Sequence, residues 1–279
     1  VNAVTDDRDF RFYGIKETNT ATSEVDRHVE EISVSGFTIV PGVVAESELP
    51  EVHRRVDSVY EKQVSEIGGA QNLRAINDET IARCLLAYDD YFLKLATAPK
   101  IIALLEKLLG DYFTLLQQNA IINLPDMVSY QTSWHRDLIY QHFIPSRPIA
   151  VSALICLDDF SKETGGTHVL PGTHKVEKFP SQVYVERHEL AVNAKAGSAI
   201  VFDSMLFHRG GVNSSKHPRR GLNHLYSLPF IKQQIDLPRI LDGKYADDDF
   251  LRKFLGYESQ AAEDVVQWRT KRLKLLDKT

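Results

Sequence analysis

Cysteine is scarce: Cys84 and Cys156 are the only two in 279 residues. Two thiols so far apart make neither a disulfide framework nor a thiolate metal site, and a reducing cytoplasm is the simplest compartment to expect. Long apolar runs are missing as well. None approaches the ~18 residues a bilayer-spanning helix requires, and the first thirty residues are polar and acidic rather than shaped like a signal peptide, so no membrane partner is expected. There is no excess of positive charge. Thirty-three Lys and Arg stand against 38 Asp and Glu, for a net charge of −5 and a pI near 6.1. Nucleic-acid affinity rests on clustered cations that neutralise phosphates, so that partner class is excluded too. Internal repeats and low-complexity tracts are also absent.

What remains is an ordinary foldable composition, 43% apolar and 25% charged, long enough for one domain over 1–279. Residues 1–110 are helix-rich. Val25, Val29 and Ile32 mark a helix from Thr22 that Gly36 ends; Phe37 to Val40 reads as a strand; Leu49, Val52, Val56 and Val59 mark a helix from Ser47; and Lys100 to Leu109 is a very apolar helix. From 111 to 230 the pattern changes to short segments between turn signals: Tyr112–Ile122, Tyr130–Arg136, Ile149–Leu157, Thr167–Leu170, Ala199–Asp203 and Gly221–Leu228. Many short strands of this kind predict a mainly β fold with flanking helices, a barrel or jelly roll. Residues 231–279 form a helical extension whose last helix, Gln260 to Leu276, is predicted to pack across the sheet.

His135 and Asp137 are two apart in Trp134-His135-Arg136-Asp137. On a strand they project from one face and can share an ion. His208 lies just past the Ala199–Asp203 strand; if the strands are neighbours, two imidazoles and one carboxylate meet and leave about three coordination positions open, the ligand set of oxygen-activating ferrous iron. By itself a His-x-Asp pair is a chance occurrence in a chain with ten His and 38 acidic residues. Arg219, eleven residues beyond His208, adds weight, because its planar fork suits a dicarboxylate such as 2-oxoglutarate.

Three stretches, WHRDLIYQHFIPSRP (134–148), LDDFSKETGGTHVLPGTHK (157–175) and GSAIVFDSMLFHRGGVNSSKHPRR (197–220), together resemble the phytanoyl-CoA dioxygenase family of iron and 2-oxoglutarate-dependent oxygenases. The resemblance implies a double-stranded β-helix, a cupin-like jelly roll. It implies a metal triad of His135, Asp137 and His208, with Arg219 on 2-oxoglutarate. Its chemistry would use Fe(II), 2-oxoglutarate and O2, with ascorbate as supporting reductant, and would oxidise a small molecule with release of succinate and CO2. Two positions depart from the family pattern. Ser152-Ala153-Leu154 stands where an aromatic residue is common, and Gly210 where a serine is.

Gln117, Asn119, Ile121 and Asn123 share one face of a strand, and buried amides need partners. Family members use amides here for the cosubstrate, which assigns Asn119 and Asn123 to it; a hydrogen-bonded strand face is the alternative. Thr132 is expected at the cosubstrate and Gln131 at the substrate, with Tyr140 and His142 in a loop lid over it. Arg136 is predicted to lie outside the barrel and Arg220 on the surface, and His168 and His174 to be non-ligands. A non-catalytic metal-binding sensor or scaffold and a cupin-like isomerase or hydrolase are the competing readings; monomer or homodimer is left open.

Overall fold

A computed structural model describes residues 14–15, 17–138 and 143–276, with side chains described as far as 273. Ser23 opens α1 (Glu24–Ser35): its hydroxyl accepts from the Asp26 amide while the Asp26 carboxylate accepts from the Ser23 amide, a reciprocal cap. Gly36 ends the helix in the left-handed region at φ 87°, where a Cβ would stand 2.7 Å from His174 Nδ1. Glycine alone lets the chain turn there into β1 (Phe37–Val40). The stripe of Leu49, Val52, Val56 and Val59 is the buried face of α2 (Leu49–Glu66). It is followed by α3 (Ala70–Ala75), β2 (Ile81–Arg83), α4 (Tyr91–Ala96) and α5 (Pro99–Leu109), the last with proline in its first turn, where no amide partner is lost.

The strand-rich part holds β3 (Thr114–Asn123), β4 (Ala150–Cys156), β5 (Thr167–Val169), α6 (Gln182–His188), β6 (Leu190–Ala191), β7 (Ala199–Asp203), β8 (His208–Gly210) and β9 (Arg219–Ser227). Two antiparallel sheets result, one in the order β1-β7-β4-β9-β3-β2 and one in the order β6-β5-β8. Every residue of β4 is buried, because both its faces are covered. Val151, Ala153 and Ile155 join the core packed by α1, α2 and α5, while Leu154 and Cys156 meet Val169 of the small sheet on the other side. The alternation thus defines a jelly roll with its helical layer on one face. After β9 come α7 (Leu237–Leu241), α8 (Asp249–Phe254) and α9 (Val265–Leu276). Among the described residues no helix is long and apolar enough to cross a membrane.

The helical layer reaches the sheet through a buried polar chain. Gln118 on β3 accepts from the Leu86 amide at 2.8 Å and donates to the Phe92 carbonyl at 2.9 Å, and its Nε2 lies 3.0 Å from His224 Nε2. Both amide hydrogens are therefore used, and His224 Nε2 must act as the acceptor. A proton there would break the chain, and burial pushes the imidazole down from 6.5 to about 3. Between these values the unfolded chain binds the proton more readily. Stability is therefore lost as pH falls below 6.5, by at most about 1.4 kcal/mol per unit. Replacing His224 by leucine should flatten the pH dependence of the urea unfolding free energy across this window; an unchanged slope would assign the acid sensitivity to other groups.

Three sequence expectations need correction. Tyr130 to Arg136 is not a strand: Tyr130–Thr132 is a 3-10 turn, and only His135 makes a ladder pair, with His208. The all-polar Gln131-Thr132-Ser133 run bends because Thr132 Oγ1 and the Thr132 amide both bond back to the Ser129 carbonyl, at 2.7 and 3.0 Å. Arg136 is not on the outside. It is buried, donates to the carbonyls of Met205 (2.6 Å), Thr173 (3.2 Å), Val176 and Glu177, and covers the Phe207 ring at 3.9 Å. Carbonyl acceptors satisfy a guanidinium as well as water does, so alternation from the triad sends it into a loop cluster. Finally, α9 leaves Val265, Val266, Trp268 and Leu273 exposed instead of packing them across the sheet; its apolar residues form no single stripe that could cover one. Arg220 is half-buried and pairs with Asp57 at 2.9 Å.

Candidate metal centre and its two chambers

His135 and His208 are adjacent across two backbone hydrogen bonds, His135 N to His208 O at 2.9 Å and His208 N to His135 O at 3.1 Å. Directly opposed residues of an antiparallel pair point to the same side. The Asp137 amide bonds to the Ser204 carbonyl at 3.1 Å, which carries its carboxylate to the same place. Asp137 Oδ1 is 3.4 Å from His208 Nε2 and 3.9 Å from His135 Nε2, and the three ligand atoms lie within 4.8 Å of one another. Atoms about 2 Å from one ion at right angles stand about 3 Å apart, so a small inward movement suffices.

The ring nitrogens are already set for a cation. His135 Nδ1 is 2.8 Å from the Ser133 carbonyl and His208 Nδ1 3.0 Å from the Leu206 carbonyl. A carbonyl can only accept, so each Nδ1 carries the hydrogen and each Nε2 offers its lone pair to the centre. Electrostatics agree. Burial holds His135 down to about 4, assisted by the neighbouring His208. Burial opposes charge on Asp137 too, but the two histidines and Ser152 outweigh it and keep the carboxylate ionised. At His208 burial favours the neutral ring and the neighbouring Asp137 carboxylate works against it, so the pKa lies above its ordinary value.

The carboxylate's other oxygen is fastened from behind. Ser152 Oγ donates to Asp137 Oδ2 at 2.5 Å and is 3.0 Å from Ser204 Oγ, while Asn223 Nδ2 approaches the same oxygen at 3.4 Å. Oδ1 is thereby left as the single donor toward the ion. Neither Ser152 nor Asn223 was singled out in the sequence, although Ser152 occupies the position that departs from the family pattern. Replacing Ser152 by alanine should weaken metal affinity by about 10- to 100-fold, read by anaerobic Fe(II) titration; unchanged affinity would mean that Asn223 holds the carboxylate alone.

Two chambers meet at this centre, sharing Ile121, Gln131, His135, Asp137 and Asn223. The first, of about 60 Å³, ends at Arg219. Arg219 is 4% exposed, donates through Nη2 to the Gly165 carbonyl at 2.6 Å and lies 4.2 Å over the Phe160 ring, and its buried Nε has no partner. Burial lowers its pKa to about 10, which leaves it charged at neutral pH. An orphaned donor on a buried cation, facing a metal triad along a cavity, fits a carboxylate ligand such as the distal end of 2-oxoglutarate. Asn123 builds the same end: its Nδ2 donates to the carbonyls of Gly165 (3.1 Å) and Gly211 (2.9 Å). Gly165 has φ 68°, and a Cβ there would stand 2.5 Å from that amide, so the Gly165 carbonyl that Asn123 and Arg219 share depends on glycine.

Thr132 and Gln131 also line the first chamber, Thr132 with its hydroxyl engaged by Ser129. Asn119 does not. It lies in the second chamber, with Gln117, four residues along an unbroken ladder from Asn123, which pairs with Arg219. Tyr140 and His142 fall outside the described residues. His168 pairs with Glu189 at 2.6 Å and His174 Nε2 contacts the Ser33 carbonyl at 3.2 Å. At Gly210 a Cβ would meet the Gln131 carbonyl oxygen at 3.3 Å, a tight approach.

Residues 33–221 match the phytanoyl-CoA dioxygenase (PhyH) family. Among relatives, the uncharacterised protein Rv1501 of Mycobacterium tuberculosis is 30% identical over 90% of this chain and 93% of its own. The peroxisomal phytanoyl-CoA dioxygenase of Homo sapiens is 23% identical over 74% and 68%. In structure the chain is similar to EctD from S. alaskensis, solved with 2-oxoglutarate and 5-hydroxyectoine, at a TM-score of 0.59, with 20% identity over 76% of this chain and 79% of that one. With a family match spanning most of the jelly roll and a triad of the required geometry, the chain belongs to the phytanoyl-CoA dioxygenase family and is a non-haem iron, 2-oxoglutarate-dependent oxidoreductase.

Proposed function

We propose that this enzyme hydroxylates a small-molecule metabolite or natural-product intermediate. The overall change is R–H + O2 + 2-oxoglutarate → R–OH + succinate + CO2, one oxygen atom entering the substrate and the other succinate. Bound iron and 2-oxoglutarate supply the activation of dioxygen, and the protein positions the target bond and keeps competing reactions out. His135, Asp137 and His208 hold the metal through Nε2, Oδ1 and Nε2. Arg219 orients 2-oxoglutarate by its far carboxylate, and Asn123 steadies that end of the chamber through the Gly165 carbonyl. Thr132 and Gln131 border the path between cosubstrate and metal. Support comes chiefly from one observation: a triad with its lone pairs turned inward, standing at the junction of a chamber closed by a buried arginine and a second chamber free for another molecule.

The decisive experiment is anaerobic addition of Fe(II) to metal-free protein with and without 2-oxoglutarate. A visible charge-transfer band that needs both, followed by succinate formation on admitting oxygen, is the expected result. Iron binding that gives no band with 2-oxoglutarate would remove the oxygenase reading, and a band without any succinate would favour a sensor.

A further inference from the structure

The second chamber, about 160 Å³, differs from the first in the side chains that line it. Among the described residues its aliphatic side chains are Ile81 and Ile121. The rest includes the side-chain amides of Gln117, Asn119, Gln131 and Gln234, with Tyr130 and Arg83.

Its charges are already compensated. Arg83 donates from Nε and Nη2 to the two oxygens of Asp78, at 2.7 and 2.5 Å, in the bidentate arrangement that satisfies a guanidinium. Arg136 borders the chamber, but its guanidinium is committed to the carbonyls of Met205, Thr173 and Glu177. No lysine among the described residues lines the cavity. A ligand carrying carboxylate or phosphate would bury its charge without a counter-ion, at a cost of several kcal/mol.

The amides are oriented. Asn119 Nδ2 donates to Gln117 Oε1 at 3.0 Å, which ties the two amides to each other and leaves the pair one further donor group and one further acceptor. Gln131 and Gln234 make no side-chain hydrogen bond to other described residues. Hydroxyl groups, each a donor and an acceptor, complement such an array. From this we infer that the substrate is a small, neutral, hydroxyl-rich molecule of the sugar or cyclitol class, held beside the metal by the Gln117–Asn119 pair. The inference rests on the oxygenase reading above.

The test uses the Fe(II)- and 2-oxoglutarate-loaded wild-type enzyme with three neutral polyols (myo-inositol, methyl β-glucoside, N-acetylglucosamine), with L-glutamate, and with octanoyl-CoA. Stimulation of succinate formation by at least one polyol, about tenfold or more over the substrate-free rate, and by neither anionic compound is expected. Stimulation by glutamate or the thioester, or by none of the polyols, overturns the inference. The charge-transfer band, recorded first without any of these compounds, reports on the oxygenase reading separately. With the active polyol, Gln117→Leu should raise KM by about 3- to 10-fold with a smaller change in kcat; a fall in kcat at constant KM would make the amide pair a structural feature only.

Discussion

Replacing His208 by alanine should reduce substrate-linked succinate formation by on the order of 10³-fold or more, to the limit of detection. The imidazole is one of only three protein ligands, and its Nε2 is also the closer of the two ring nitrogens to Asp137 Oδ1, at 3.4 Å. Losing it leaves a two-ligand site and removes the imidazole nearest the Asp137 carboxylate. The fold should survive, because the link between β8 and the His135 segment runs through main-chain atoms that the substitution does not touch. Near-UV circular dichroism checks that point, and anaerobic titration should show Fe(II) affinity falling with turnover. Retained wild-type turnover would refute the ligand role of His208 and with it the triad.

Much of this centre was legible because its chemistry is concentrated in residue types with few other uses. A His-x-Asp pair, a distal histidine beside a strand and an arginine at the start of the next strand can be read one residue at a time. The helices were legible for a different reason: Val25, Val29 and Ile32, or Leu49, Val52, Val56 and Val59, repeat at helical spacing, and Ser23 and Gly36 are chemical stops. What the residues did not show is contact across the chain. Ser152 reads as an interruption in an apolar strand. Only the pairing of β4 with β7 and β9 puts its hydroxyl under Asp137, with Ser204 and Asn223 arriving from two further segments.

The errors share a cause. Alternation was extended over Tyr130 to Arg136 although that run has no apolar face, and local bonds from Thr132 to Ser129 displaced the strand there. Arg136 was placed outside the barrel because it alternates away from the triad, yet a ring of loop carbonyls, which no sequence pattern advertises, makes burial favourable. For Asn119, sharing a strand face with Asn123 did not mean sharing a chamber. The two are four residues apart, roughly 13 Å along a strand, and they line different chambers.

Arg219 is where that separation has its largest consequence. Removing one partner of a buried hydrogen-bonded charge pair costs about 3–5 kcal/mol, because the other charge is left desolvated. Arg219→Leu should therefore raise the KM for 2-oxoglutarate by roughly 10²- to 10⁴-fold, while Fe(II) affinity measured without 2-oxoglutarate stays near wild type. Arg219→Lys separates charge from geometry. An ammonium keeps the charge but cannot bond the Gly165 carbonyl, stack on Phe160 and grip two carboxylate oxygens as a planar fork does. Its KM should lie between the two, about tenfold above wild type. Steady-state kinetics and the anaerobic charge-transfer titration should give the same order, wild type tightest, then lysine, then leucine. A leucine variant with an unchanged KM would mean that the cosubstrate does not reach this end of the first chamber, and the assignment of the two chambers would have to be exchanged.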